Sequence, residues 1–455
     1  MLQVDVPFPP GDDLRVKQLS AFIAFCLIAL LPCIAPAQSS ADPGDALHVY
    51  LITLGPGTDP WEKFGHDFID VEDSSGQMIQ YVDSRGNPVP PQMSYNWGVF
   101  NFGTGFSGIA TFGWHFLQGK LVYSMRSTPT KEMVHEYVQQ GRYVSKQELE
   151  LSGRQKLQLL SRLQENDTDA NRYYLYDYFV KNCSTMTRDA IDKATDGQVH
   201  AALTKMTSTT LRWQSLRCTA DTPWLYVFLD YALGQPTDKP LSQWGECFIP
   251  MKLAEHLREV KVRGPDGKPI PFVKSEEVLN LGVFPIRQTA PTDFIYGFLA
   301  TGIVYGGLLA VLASLGSRSK FARWGFKFLA VIWSLLAGLL GLLLTLVWLT
   351  DHDAAKWNEN WFQLNLISLL LVVLIPGSRR WPDAARNVSL IVLGLSLFDL
   401  LAKVTPWFYQ VNGSIIAVAL PIHAAVAWGI LQMRARRKTL EMIETNPQGQ
   451  TLRAV

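Results

Sequence analysis

Beyond Asp293 the chain becomes a series of long apolar runs separated by short charged loops, and no other feature restricts its fold as strongly. The runs extend from about Phe294 to Gly316, Phe328 to Leu349, Trp361 to Pro376, Asn387 to Ala402 and Gly413 to Met433. Crossing a bilayer takes roughly 20 apolar residues, so they predict an all-α transmembrane bundle of about five passes, whose third and fourth spans are short. Arg318, Lys320, Arg323 and Lys327 follow the first run, Arg379, Arg380 and Arg386 the third, and Arg434, Arg436, Arg437 and Lys438 the fifth. Basic loops stay inside, so the remaining loops face outward: the one with Asp351, His352, Asp353 and Glu359, and the one with Trp407, Phe408 and Tyr409. A membrane domain over residues 291–433 and a cytoplasmic tail over 434–455 follow.

At the other end, Arg15 and Lys17 precede an apolar stretch from Ala21 to Ile34 and then Ala35-Pro36-Ala37, the pattern of a secretory signal over residues 1–37. An uncleaved anchor is the competing reading. Cys33 follows Pro32, which does not suit a lipid-modified cysteine. Either way residues 38–290 are exported. A formal net charge of +1 gives no reason to expect nucleic acid as a partner. Of the chain's 5 cysteines, Cys183, Cys218 and Cys247 fall in the exported part. An oxidising compartment favours pairing, and Cys218 and Cys247 flank a turn-rich segment with Gly234, Pro236 and Pro240, so a disulfide between these two is expected, with three reduced thiols as the alternative.

The exported part reads as a small α+β domain. Leu47–Leu54, Phe68–Val71, Met78–Val82 and the segment from Tyr95 to Phe102 have strand character, and Pro129–Gln139 has helical pattern. A second helix follows Ser152, whose spacing to Gln155 matches a capping box. Val260–Val273 reads as a hairpin around Gly264-Pro265-Asp266-Gly267, and Tyr173–Phe179 as mostly core. No nucleotide-binding glycine loop, zinc spacing or other sign of a cofactor or metal site emerges.

Within this domain Asn182-Cys183-Ser184-Thr185 places a thiol directly after a capping residue, at a helix N-terminus where free N–H groups favour a thiolate. His66, opening the alternating run Phe64-Gly65-His66-Asp67-Phe68-Ile69-Asp70-Val71, supplies a base held on a strand. A small buried hydrophobe is the competing reading of Cys183.

Together with Thr53-Leu54-Gly55-Pro56-Gly57, Asn96-Trp97-Gly98-Val99-Phe100-Asn101-Phe102 and Arg188-Asp189, these motifs resemble the periplasmic domain of Lnb-type bacterial lipoprotein N-acyltransferases, and the multi-pass C-terminal half is similar in layout. The resemblance implies a permuted papain-like thiol enzyme fold, in which the histidine strand precedes the cysteine helix. It also implies transfer of an acyl chain from a phospholipid, through a Cys183 thioester assisted by His66, to the N-terminal amine of a diacylglyceryl-cysteine lipoprotein. The expected location is the bacterial inner membrane, with the catalytic domain on its periplasmic side. Asn96, Asn101 and Asp70 are candidates to orient the imidazole. His352 and Asp399 are candidate substrate-facing groups, although a solvated loop and a helix-end ion pair of Asp399 with Lys403 explain them equally well. The motifs also admit a thiol hydrolase, acting on cell-wall peptide or phospholipid, or a non-enzymatic membrane assembly factor.

Overall fold

The computed structural model describes residues 42–79, 91–101, 103, 105–284 and 290–444. The expected signal segment lies outside these residues, as do residues 80–82 of the strand expected at Met78–Val82. Met78 and Ile79 form no strand: their N–H groups donate to the Asp73 carboxylate at 2.6 and 3.0 Å.

Eleven strands are described: β1 (Leu47–Leu54), β2 (His66–Asp73), β3 (Gln92–Val99), β4 (Val122–Pro129), β5 (Val144–Leu149), β6 (Tyr173–Leu175), β7 (Met206–Thr210), β8 (Pro240–Ser242), β9 (Lys261–Arg263), β10 (Pro269–Pro271) and β11 (Val273–Asn280). Seven make one antiparallel sheet in the order β11-β5-β1-β2-β3-β4-β6, while β7-β8 and the expected hairpin β9-β10 pair separately. Alternation along the central strands divides two cores. Val49 and Leu51 of β1, Ile69 and Val71 of β2, and Tyr95 and Trp97 of β3 face helices Gly153–Asn166, Cys183–Ala194 and Pro250–Leu257. Ile52, Leu54 and Phe68 face the other way, toward Met133 on helix Thr130–Gln139. With both faces of β1 covered, this strand reads as a nearly continuous apolar run, whereas β2 buries Asp67, Asp70 and Asp73 among its apolar residues.

The run Tyr173–Phe179 departs from the core reading. It forms the sheet edge, so Tyr173 and Leu175 point into solvent, while Tyr174 between them packs against the sheet core.

In the second half, four described helices are long and apolar enough to cross a membrane: Ile295–Leu315, Lys320–Val347, Pro382–Ala402 and the apolar part of Gly413–Glu444. The last runs past the expected boundary at residue 433. The five expected spans are corrected to these four plus a broken segment in place of Trp361–Pro376, built from the short helices Asn360–Gln363 and Ser368–Leu374. This segment packs closely on helix Lys320–Val347. A Cβ on Gly341 would meet Leu364 O and Asn365 C at 2.4 Å, and Lys327 Nζ donates to Pro376 O at 3.2 Å near the basic end. Its polar side chains explain the break: Gln363, Asn365 and Ser368 are buried and hydrogen-bonded, which a membrane interior tolerates only where protein surrounds them.

The two halves are joined by a polar seam. Helix Pro223–Ala232 ends with its carbonyls aimed at the bundle, where Asn358 Nδ2 donates to Tyr231 O (2.9 Å) and Ala232 O (3.0 Å), and Asn360 Nδ2 to Tyr231 O (3.0 Å). From the exported side the buried Arg212 guanidinium donates to Leu233 O at 2.7 Å and to the Asp238 carboxylate at 2.9 and 3.0 Å. These bonds satisfy helix-end carbonyls that burial would otherwise leave unpaired.

Candidate active site

The cysteine helix starts where the sequence places it. Asn182 caps Cys183–Ala194, its Oδ1 accepting from Thr185 N at 2.8 Å while its own N–H donates to Thr185 Oγ1 at 2.9 Å. The same side chain is tied down, with Nδ2 donating to Tyr178 O and Phe248 O at 2.9 Å each. The half-buried Cys183 is therefore held by a rigid cap rather than by a loop.

The helix N-terminus abuts the start of β2. A bulge between Trp97 and Val99 opens β3 there, and Gly98 adopts φ +101° at its centre. An added Cβ at Gly98 would touch His66 Cε1 at 3.5 Å and Cys183 Cβ at 3.6 Å, so histidine and cysteine meet at this glycine. Its positive φ disfavours any other residue.

Asn96, on the same face of β3, selects itself among the three candidate orienting groups: its Oδ1 lies 2.6 Å from His66 Nε2. Neutral imidazole has one N–H, and an amide oxygen only accepts, so the proton sits on Nε2 and leaves Nδ1 as the basic nitrogen. Asp70 is four residues along β2, about 13 Å at strand rise, and is engaged by Thr130 and by Gln92 Nε2 at 2.8 Å. Asn101 lies past the end of β3, where its Oδ1 accepts from Gly103 N at 2.8 Å. Neither of these two reaches the imidazole.

Electrostatics modify the expectation of a ready-made thiolate. Burial pushes the Cys183 thiol up to about 12, with the nearby Asp67 charge adding to the effect; the backbone N–H groups of Asp67, Ser184 and Cys183, which hydrogen-bond the sulfur, only partly oppose it. Burial likewise lowers His66 to about 4, against the Asn96 hydrogen bond and with help from the Arg142 charge. The resting pair is thus neutral thiol and neutral imidazole.

Asp67 and Ser184 complete the site, and neither is singled out by the sequence motifs. Asp67 is fully buried, and burial raises it to about 7 despite the Ser184 hydrogen bond. Ser184 Oγ lies 2.7 Å from Asp67 Oδ2 and 2.8 Å from Cys247 O. One hydroxyl proton cannot serve two acceptors fully, whereas a protonated Asp67 donating to Ser184, which then donates to Cys247 O, satisfies the chain. The signal was adjacency: Asp67 follows the histidine and Ser184 follows the cysteine. Over the site stand Tyr123 and Tyr176, stacked at 4.1 Å, both close enough to feel the Cys183 charge.

The remaining expected residues lie elsewhere. His352 docks the loop after the second long apolar helix onto the exported domain, its Nε2 2.6 Å from Phe116 O and its ring stacked on Tyr178. Asp399 is buried in the bundle, accepting from Gln363 Nε2 at 2.9 Å and Asn412 Nδ2 at 3.2 Å, with Lys403 Nζ at 3.6 Å. The expected Cys218–Cys247 disulfide is not formed, since all three described cysteines are free. Cys247 enters the sheet core and bonds Gln243 O, while Cys218 ends a separate helix, Leu211–Cys218. No group of His, Cys, Asp and Glu side chains fit to hold a metal occurs among the described residues.

Residues 36–217, which include His66, Asn96 and Cys183, match the family model of the Lnb N-terminal periplasmic domain. No curated protein and no solved structure matches the chain. Residues 36–217 thus resemble an Lnb-type periplasmic domain, and the later described residues add four apolar helices of membrane-spanning length, the layout of a membrane protein with a periplasmic domain.

Proposed function

We propose that the protein is a lipoprotein N-acyltransferase of the inner membrane, built on a permuted papain-like thiol domain, with Cys183 as nucleophile, His66 as base and Asn96 as the residue that positions the imidazole. The observation that carries this reading is the His66 Nε2 to Asn96 Oδ1 contact of 2.6 Å beside a capped helix that starts at Cys183. It leaves His66 Nδ1 free as a base on a ring that meets Cys183 across Gly98, on a domain bonded to the membrane bundle.

In the first step the Cys183 sulfur attacks the ester carbonyl of a phospholipid. Because the resting thiol is neutral, its proton passes to His66 Nδ1 during attack, and the oxyanion takes hydrogen bonds from backbone N–H groups at the helix start as the sulfur's charge is spent in the new bond. The C–S bond forms, the ester C–O bond breaks, and His66 gives the proton to the departing lysophospholipid oxygen. In the second step the α-amine of a diacylglyceryl-cysteine attacks the thioester. The amide C–N bond forms, the C–S bond breaks, and the amine proton returns through His66 to the sulfur. A buried thioester is protected from water between the steps.

The reading is tested on cells. Mass analysis of lipoprotein N-termini should find triacylated cysteine when the protein is present, and diacylated cysteine when it is deleted or carries Cys183→Ser. Unchanged triacylation in the Cys183→Ser strain would defeat the proposal. Release of free fatty acid without amide formation would instead favour a hydrolase.

A further inference from the structure

Helix Gly105–Gln118 plays no part in the chemistry above, yet it leaves large apolar side chains in the open. Its sequence, Gly-Phe-Ser-Gly-Ile-Ala-Thr-Phe-Gly-Trp-His-Phe-Leu-Gln, contains no Asp, Glu, Lys or Arg. Ile109, Trp114 and Leu117 are 62%, 61% and 49% exposed. Large apolar side chains left open along an uncharged helix do not suit an aqueous surface.

Its C-terminal end is fixed at the level where the bundle leaves the membrane. Asp351 N donates to Gln118 O at 3.1 Å and His352 Nε2 lies 2.6 Å from Phe116 O, both immediately after helix Lys320–Val347. A Cβ at Gly119, which has φ +72°, would fall 2.9 Å from Asp351 C, so the two segments touch backbone to backbone. Beside this junction the exposed rings of Trp348 and Trp357 pack at 6.1 Å, the aromatic anchoring expected at a membrane–water boundary.

At the other side the helix leads to the candidate active site. Phe112 contacts Phe100 (6.1 Å between centroids), Phe100 stacks on Tyr123 (4.9 Å), and Tyr123 stacks on Tyr176 over Cys183. A groove between helix and sheet, lined by Ser107, Thr111, Phe112, His115, Leu121 and Val122 among others, meets this series at Phe112.

We propose that helix Gly105–Gln118 lies in the interface of the outer leaflet and that its groove and aromatic wall form the path by which an acyl chain passes from that leaflet to Cys183. The membrane contact stands on the helix and its junction alone; the delivery role rests on the acyl-transfer reading. The occupant is the phospholipid surface. The uncharged apolar face and its continuity with the outer end of a membrane helix argue for lipid rather than for a protein partner.

The test uses the full-length protein in phospholipid nanodiscs, with a benzophenone amino acid replacing Ile109, Trp114 or, as control, Asp266 in the charged turn of the β9-β10 hairpin. Irradiation should yield phospholipid adducts at Ile109 and Trp114 several-fold above those at Asp266. Equal yields at all three would overturn the membrane contact, whatever the activity. In a second arm, Trp114→Asp with Leu117→Asp should slow acylation of Cys183 from bilayer phospholipid at least tenfold while leaving acylation by a water-soluble short-chain ester unchanged. Equal slowing with both donors would overturn the delivery role. Adducts at the helix with no acylation from either donor in the unmodified protein would sink the acyl-transfer reading and leave the membrane contact standing.

Discussion

Replacing Asn96 by Ala removes the acceptor that holds His66 Nε2 at 2.6 Å, from a side chain only 7% exposed. The donor left behind is buried, a loss of about 1–3 kcal/mol in stability. During attack the imidazole becomes imidazolium and the bond becomes charge-assisted, worth about 1.5–3 kcal/mol, which corresponds to a roughly 10- to 150-fold slower acylation of Cys183. The pH profile separates positioning from mere destabilisation. In the wild type, acylation falls only as pH drops toward about 4, where His66 takes up a proton and ceases to be a base. Because the Asn96 bond opposes the burial effect on His66, Asn96→Ala should move that acid limb lower still, whereas Asn96→Asp, which places a carboxylate beside the ring, should move it upward. Single-turnover acylation followed by intact-protein mass across pH reads both quantities. A folded Asn96→Ala protein with wild-type rate, and an Asn96→Asp protein with an unmoved limb, would refute the positioning role.

Asp67→Asn removes a charge that raises the Cys183 pKa, so alkylation of Cys183 above pH 7 should speed up; no change in a folded variant would count against the coupling. The same substitution removes a carboxyl raised from 3.8 to about 7, whose contribution to stability is fully present below the lower value and lost as pH rises through the higher. Denaturation measured from pH 4 to 8 should therefore show the variant gaining on the wild type as pH increases, and a constant difference would contradict the burial of that group. Arg212→Ala should destabilise the exported domain by about 3–5 kcal/mol, because Asp238 would be left buried without its partner; a loss below about 1 kcal/mol would be inconsistent with the seam. Denaturing alkylation of unreduced protein should label Cys218 and Cys247 as well as Cys183, and a disulfide peptide joining the first two would overturn the free-thiol arrangement.

Local patterns carry much of this fold. Ser152 and Asn182 announce their helices because each satisfies orphan N–H groups through a partner three residues away. Strand β1 is legible as a run of consecutive β-prone residues and β2 by its alternation, again local signals. The choice among Asn96, Asn101 and Asp70 is not legible, since it depends on strand register and on the bulge at Gly98, both set by residues distant in sequence. The charge state of Cys183 escapes the sequence because a helix N-terminus is local, whereas the burial that outweighs it comes from packing the helix against β2. Counting cysteines likewise suggests a bridge that packing does not form. The third apolar run counts as a span by composition, and only contacts with Gly341, Ser396 and Asp399 show why Gln363 and its neighbours break it.

The most direct measurement is the covalent state of Cys183 in purified, reconstituted protein given phospholipid and no amine. The expected result is an acyl chain on Cys183 that neutral hydroxylamine removes, that Cys183→Ser abolishes and that His66→Ala forms about 100-fold more slowly, and that a diacylated lipopeptide with a free amine discharges to a triacylated product. Folded protein that never acquires the acyl chain from any bacterial phospholipid, and leaves the lipopeptide unchanged, would contradict it.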